Sequence, residues 1–370
     1  MRTGRAALLG AVFCGVCALA SPSPAIAGHV LFDVAERQVL EATDADAAIE
    51  PGRVADLLLI GVVREQLAAG ALTPTTRVPV LAVTGDRGPR LPVHDPVEVG
   101  ELLQLLLLCD SPTAAKTLAW AVGPSIGRAL NRMYDVGRKL GLRHTTISDD
   151  WPFAAGLATG AASHHRGTTT ARELGTVALL IATDPDMRRR LALDGVPIAD
   201  GSVIVRASDP VIAVAADGPP PSGASSAAVT RVAVAERSGL ALLAVATGAS
   251  ADSELAASLE NGFRRYQRVE VVRAGQAIGP SIRVRGGIIP SFNAIAAEPW
   301  SATTRKSSAG GLAVRLQLPS EVEAPVELHQ ALGELVIERD GRLVAVIPLV
   351  APQMIAPSGW LDSARASSRR

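Results

Sequence analysis

Lysine is nearly missing from this 370-residue chain, occurring only at Lys116, Lys139 and Lys306. Arginine carries almost all the positive charge and is spread evenly, which is a coding bias rather than a chemical signal. Basic and acidic residues cancel to a formal charge of zero. With no basic surplus to neutralise phosphates, nucleic acid is not an expected partner. Cysteine is scarce as well, confined to Cys14, Cys17 and Cys109. No Cys or His cluster has metal-ligand spacing, so neither a metal nor a cofactor is expected. Beyond Ala27 no apolar run is long enough to span a membrane, and there is no internal repeat. What the chain does have is 48% apolar residues. That supports a real core and argues against disorder of the whole chain. The length suits one large domain and a small one.

The N-terminus has the form of an export signal. A short basic "MRTGR" precedes the apolar "AALLGAVFCGVCALA", and Ala25-Ile26-Ala27 fits peptidase cleavage before Gly28. Cleavage would remove Arg2, Arg5, Cys14 and Cys17. The mature chain would be slightly acidic, with Cys109 as its single cysteine and therefore no internal disulfide. The expected location is the periplasm.

From Gly28 onward the pattern is strands, then helices, then strands and a last helix, an α+β arrangement. "HVLFDVAERQVLEAT" reads as two strands around a polar turn. "IEPGRVADLLLIG" is a loop running into a helix that ends near Gly70, and "TTRVPVLAV" is a strand. In "HDPVEVGELLQLLLLCDSPTAAKTLAWAVG", Asp95-Pro96 and Ser111-Pro112 each read as an N-cap and first helical residue. "SIGRALNRMYDVGRKLGL" continues as helix, and the Thr168–Thr170 run caps another at "ARELGTVALLIATDPDM". "GSVIVRA", "VTRVAVAE" and "LALLAVAT" are strand candidates, and "DSELAASLENGFRRY" is a helix. From about Val269 helical periodicity stops. "VEVVRAG", "SIRVRGG", "GLAVRLQLP" and "GELVIERDGRLVAVIPLVA" read as strands, with Asp340-Gly341 a tight-hairpin signal. The expected organisation is a signal over residues 1–27, an α+β domain over 28–267, an all-β domain over 268–352 and a short polar tail over 353–370. That tail has too few apolar residues at helical spacing for a membrane-binding helix, although Arg365, Arg369 and Arg370 allow weak contact with anionic lipid.

Taken in order, these segments resemble the D-alanyl-D-alanine carboxypeptidases, the low-molecular-mass penicillin-binding proteins (peptidase family S11). "VLFDVAERQVLEATDADAAIEPGRVADLLL" resembles the family's opening hairpin and nucleophile helix. "VEVGELLQLLLLCDSPTAAKTLA" resembles its central helix, break and helix, and "VEAPVELHQALGELVIERDGRLVAVIPLVA" its C-terminal β-domain. The resemblance implies a penicillin-binding, β-lactamase-like α+β fold followed by a small all-β domain. It also implies three motifs. In S-x-x-K a serine attacks the peptide carbonyl while a lysine one helical turn away takes its proton. The aligned residues here are Arg53 and Asp56. S-x-N becomes Cys109-Asp110-Ser111. K-T-G, which supplies a cation for the substrate carboxylate, becomes Ala216-Asp217-Gly218. Arginine has no nucleophilic oxygen and keeps its proton, and Asp217 would repel a carboxylate.

Nucleophile, base and anion-binding cation are thus lost together, so the expected protein is a catalytically inactive homologue in peptidoglycan metabolism. It would bind the peptidoglycan stem peptide or another cell-wall protein. Two alternatives stand beside that expectation. One is an active serine- or cysteine-type carboxypeptidase with a rearranged site that uses Cys109 or Ser111. The other is a structural partner of an active paralogue. For Cys109 the plain alternative is a small buried residue at a helix end. Ser163–His165 would need a third ligand to hold a metal and reads as a polar loop. Arg172 and Glu173 read as capping and solvation of a helix start, Arg188–Arg190 as a solvated helix face, and Trp120, Trp151, Trp300 and Trp360 as core or domain contacts.

Overall fold

The computed structural model describes residues 28–49, 51, 53–81, 91, 93–109, 111–147, 151, 167–191, 212–216, 230–248, 251–307 and 311–359. Strands β1 (His29–Asp33), β2 (Gln38–Thr43) and β3 (Ala48–Ile49) lead into helix α1 (Val54–Ala68). Strands β4 (Arg77–Pro79) and β5 (Pro96–Glu98) precede helices α2 (Val99–Cys109), α3 (Pro112–Val122) and α4 (Ile126–Lys139). Strand β6 (Thr169–Thr170) and helices α5 (Ala171–Ala182) and α6 (Pro185–Leu191) follow. Strands β7 (Ile212–Ala216), β8 (Thr230–Arg237) and β9 (Leu240–Thr247) and helix α7 (Ala251–Arg265) come next. Then come strands only: β10 (Tyr266–Val272), β11 (Ala277–Arg285), β12 (Ser291–Ala296), β13 (Trp300–Arg305), β14 (Leu312–Gln317), β15 (Glu321–Glu323), β16 (Ala331–Arg339) and β17 (Arg342–Val350).

The first part is a five-stranded antiparallel sheet in the order β2-β1-β9-β8-β7. Alternation along β1 divides its side chains between two cores. Val30 and Phe32, with Leu243 and Val245 of β9, face a large core that also takes in α1, α2, α3 and α5. Leu31, with Leu242, Ala244 and Ala246, faces α7. Each flanking helix comes close to the sheet through a glycine. A Cβ at Gly175 of α5 would lie 2.9 Å from Cζ of Phe32 and 3.1 Å from Val245. A Cβ at Gly262 of α7 would lie 2.7 Å from Leu242 and 2.9 Å from Leu31. Both layers are therefore packed to contact, and Gly175→Ala is expected to destabilise by about 1–3 kcal/mol through overpacking. A denaturant midpoint lowered without a change of slope would show it.

Helix α1 is buried along its whole first half, Val54 through Val63. That is the pattern of a helix surrounded by others rather than an amphipathic surface helix. Helices α3, α4 and α5 all pack on it.

Two expected elements take another form. Asp95-Pro96 does not start a helix: Pro96–Glu98 is strand β5, paired with β4, and α2 begins at Val99. A proline's fixed φ and missing N–H suit the end of a short edge strand as well as a helix start. The strand expected over residues 75–83 is three residues long, Arg77–Pro79. The expected strand "GSVIVRA" lies outside the described residues.

The β-rich part holds a six-stranded sheet in the order β14-β16-β17-β12-β11-β15 and a two-stranded sheet, β10-β13. Arg339 pairs with Arg342 across the β16–β17 turn. Asp340 and Gly341 in that turn have φ of 50° and 76°, the conformation that a two-residue hairpin turn requires. The hairpin signal therefore read correctly. No helix among the described residues is long and apolar enough to cross a membrane.

Candidate functional site

Arg53 is the residue before the first turn of α1, and its own side chain makes no cap to that helix. The guanidinium reaches across to the end of α2 instead. Nη1 donates to the carbonyl of Leu107 at 3.1 Å, and Nη2 donates to the carbonyl of Leu106. These carbonyls belong to the last turn of α2, where the helix has no N–H of its own to offer them. They also sit at the negative end of the helix dipole, where a cation is favoured. Arg53 is 7% exposed, and so is Asp56, one turn further along α1.

Asp56 is held from two sides. Its Oδ2 lies 3.6 Å from Nε of Arg53. Its Oδ1 accepts a hydrogen bond from the Trp151 indole Nε1 at 3.0 Å. A buried ion pair holds its place only when further hydrogen bonds offset the loss of water. Here two carbonyls engage the Nη groups of the cation and an indole N–H supports the anion. The pair is therefore part of a five-residue junction that joins α1, the end of α2 and Trp151.

Two residues beyond the end of α2, Ser111 is fully buried at the N-cap of α3. Its Oγ accepts from the Ala114 N–H at 3.2 Å. Pro112 holds the first helical position, so the expected Ser-Pro helix start is present. Ala216 ends β7, which is an edge strand of the five-stranded sheet. The side chains of Cys109 and Ala216 lie outside the described residues, as do Asp110, Asp217, Gly218 and Ser163–His165. The geometry thus brings Arg53 and Asp56 together and ties Arg53 to the last turn of α2. Trp151 was expected only as a core or domain contact. Its place beside Asp56 has no local sequence signal, since 95 residues separate the two.

A second polar centre lies at the start of α5. Thr170 caps that helix by accepting from the Glu173 N–H at 3.1 Å. Glu173 itself is buried, not solvated as expected. Its Oε1 accepts from the Arg143 N–H at 2.6 Å and the His144 N–H at 3.0 Å, and its Oε2 from the Thr145 hydroxyl at 2.7 Å. Burial pushes this carboxyl's pKa up. The hydrogen bonds from Thr145, Arg143 and His144 outweigh burial and hold it below the ordinary glutamate value. Arg172 instead points outward and forms a two-pronged ion pair with Asp46, at 2.7 and 3.0 Å.

Residues 266–356 match the family model of the penicillin-binding protein 5 C-terminal domain. Penicillin-binding protein 3 of Streptococcus pneumoniae superposes with a TM-score of 0.70 at 17% identity, over 90% of this chain and all of that one. Penicillin-binding protein 6B of Escherichia coli gives 0.62 at 18% identity, over 90% and 96%. The fold is that of the low-molecular-mass penicillin-binding proteins. Penicillin-binding protein 5 of Haemophilus influenzae agrees, with 0.61 at 18% identity over 91% and 99%. In sequence, the D-alanyl-D-alanine carboxypeptidase DacF of Bacillus subtilis is 24% identical over 132 residues. That match spans 34% of each chain, about a third of the relative's length. The resemblance to the carboxypeptidase family read from the sequence is supported by the β-domain match, by DacF and by the penicillin-binding fold.

Proposed function

We propose that this penicillin-binding fold carries no acyl-transfer machinery and acts in peptidoglycan metabolism by binding. The ligand is the peptidoglycan stem peptide or another cell-wall protein. The buried Arg53 guanidinium on the α2 carbonyls is the observation that carries this proposal. The first turn of α1 corresponds to the S-x-x-K position, where the reaction needs a hydroxyl and an amine that can release a proton. Arg53 offers neither, and its Nη groups are engaged by Leu106 and Leu107. Asp56 could accept a proton, but it is committed to Arg53 and the Trp151 indole. Ser111 points a lone pair at its own helix, which suits a cap better than an attacking alkoxide. We further propose export to the periplasm, with cleavage before Gly28. On this proposal an α+β unit spans residues 28–267 and a β-domain spans 268–352.

Fluorescent penicillin tests the central point: no covalent adduct is expected on the purified protein. A stable adduct that vanishes in Cys109→Ala or Ser111→Ala would establish the active, rearranged enzyme instead. Sedimentation with purified peptidoglycan separates a wall-binding protein from a purely structural partner of a paralogue. The former co-sediments and the latter stays in solution.

A further inference from the structure

The first-domain hairpin reaches into the β-domain through one carboxylate. Glu36 sits in the turn between β1 and β2. Its Oε1 accepts from the Thr303 backbone N–H of β13 at 2.6 Å, and its Oε2 accepts from Arg339 Nη1 of β16 at 2.6 Å. Arg339 also donates to Gln38 Oε1 at 2.9 Å and, through Nη2, to the Thr303 carbonyl at 3.2 Å. Arg268 of β10 completes the positive surround, with Nη1 at 3.9 Å from Glu36. The Glu36 and Arg339 side chains are only 18% and 16% exposed. The carboxylate thus spans residues 303 positions apart in sequence and touches both sheets of the β-domain.

A second tie lies at the covalent crossing. Helix α7 ends at Arg265 and β10 begins at Tyr266, with no connecting residue between them. Lys306 donates its backbone N–H to the Arg265 carbonyl and its Nζ to the Phe263 carbonyl, both at 2.8 Å. Arg265 pairs with Glu41 of β2 at 2.9 Å, and the Tyr266 hydroxyl donates to the Leu40 carbonyl at 3.3 Å. A single covalent crossing keeps two soft backbone dihedrals per residue and does not by itself fix the angle of the β-domain. Glu36 engages that domain at Thr303, which pairs with Arg268 just past the crossing, and also at Arg339 of β16 in the other sheet, which the crossing itself does not hold.

We propose that the β1–β2 turn is a latch, in which Glu36 fixes the angle of the β-domain so that both domains move as one body. The consequence is that anything bound by one domain is held at a set distance and direction from anything bound by the other. Domain arrangements usually retain relative motion unless an interface restrains it. The restraint here is a charge-assisted, half-buried pair with a backbone N–H as third partner.

Small-angle X-ray scattering on the full chain reads the domain angle, and amide exchange at Thr303 reads the latch itself. The parent protein should scatter as one rigid shape. Glu36→Ala and Arg339→Ala should each enlarge the radius of gyration and speed Thr303 exchange at least about tenfold. Glu65→Ala removes a surface ion pair with Lys139 inside the first domain and should change neither. Circular dichroism verifies that each variant is folded. Glu36→Gln keeps an acceptor for Thr303 without the charge, so it should fall between parent and Glu36→Ala. Scattering curves of the Glu36 and Arg339 variants that superpose on the parent's would overturn the latch, as would a parent that already scatters as a mixture of angles.

Discussion

Asp56→Ala should lower the stability of this protein by about 3–5 kcal/mol, the usual cost of removing one partner from a buried ion pair. Two groups lose a partner at once, one an opposite charge and the other a hydrogen-bond acceptor. The Arg53 guanidinium, 7% exposed, keeps its charge because arginine cannot shed its proton. The Trp151 indole loses the oxygen it reaches at 3.0 Å. Against a total of about 5–15 kcal/mol for an ordinary domain, that loss would move a urea midpoint far. Arg53→Ala should cost a similar amount, because it strips the Leu106 and Leu107 carbonyls and strands Asp56. The double replacement Arg53→Met with Asp56→Leu should cost clearly less than the sum of the singles. It removes both charges together and refills the space with apolar volume. A closed cycle of parent, Arg53→Met, Asp56→Leu and this double variant measures the coupling directly. Additive losses would show that the pair is not a unit and that the surrounding helices, not the ions, hold this junction. A strong coupling would support the proposal that this position now serves structure instead of acyl transfer.

What the sequence revealed of this junction, and what it hid, follows from the range of the interactions. The two charges one turn apart were legible, because helical spacing sets their face. So was the N-cap at Ser111, since a serine before a proline is a local signal and satisfies a local N–H. The β16–β17 turn was legible for the same reason, as only a few residue pairs tolerate two positive φ values. The burial of Arg53 was not, because it depends on where α2 ends relative to α1. Trp151 was not, because nothing beside it in the chain announces its acceptor. Strand β5 was hidden behind a proline that serves helix starts and edge strands equally. Strands β12 and β13, "SFNAIA" and "WSATTR", passed unread because neither contains a run of branched apolar residues. Pairing with β10, β11 and β17 decides their state, and pairing is non-local.

Glu173 was legible as a helix-start residue and misjudged in its surroundings, and its replacement is the other large effect expected. Glu173→Ala should cost about 3 kcal/mol, given roughly 1.5–3 kcal/mol for a hydrogen bond to a charged group and a penalty for each buried donor left unmet. The Arg143 and His144 N–H groups and the Thr145 hydroxyl would all lose their acceptor, loosening the segment before β6 from the start of α5. The pH dependence has a definite sign. The folded carboxyl is held below its ordinary value, so the folded state binds this proton less readily than the unfolded chain does. The stabilisation is therefore complete above the unfolded glutamate value of about 4.3. It is lost as pH falls through the lower folded value. Glu173→Gln keeps the shape and an acceptor but cannot titrate. Its deficit against the parent should be full at neutral pH and should shrink on acidification into and below the carboxylate range. Urea titrations of parent and variant at neutral and strongly acidic pH read this difference. A deficit that is the same at both would mean that the charge of Glu173 contributes nothing and that its shape alone ties the loop to the helix.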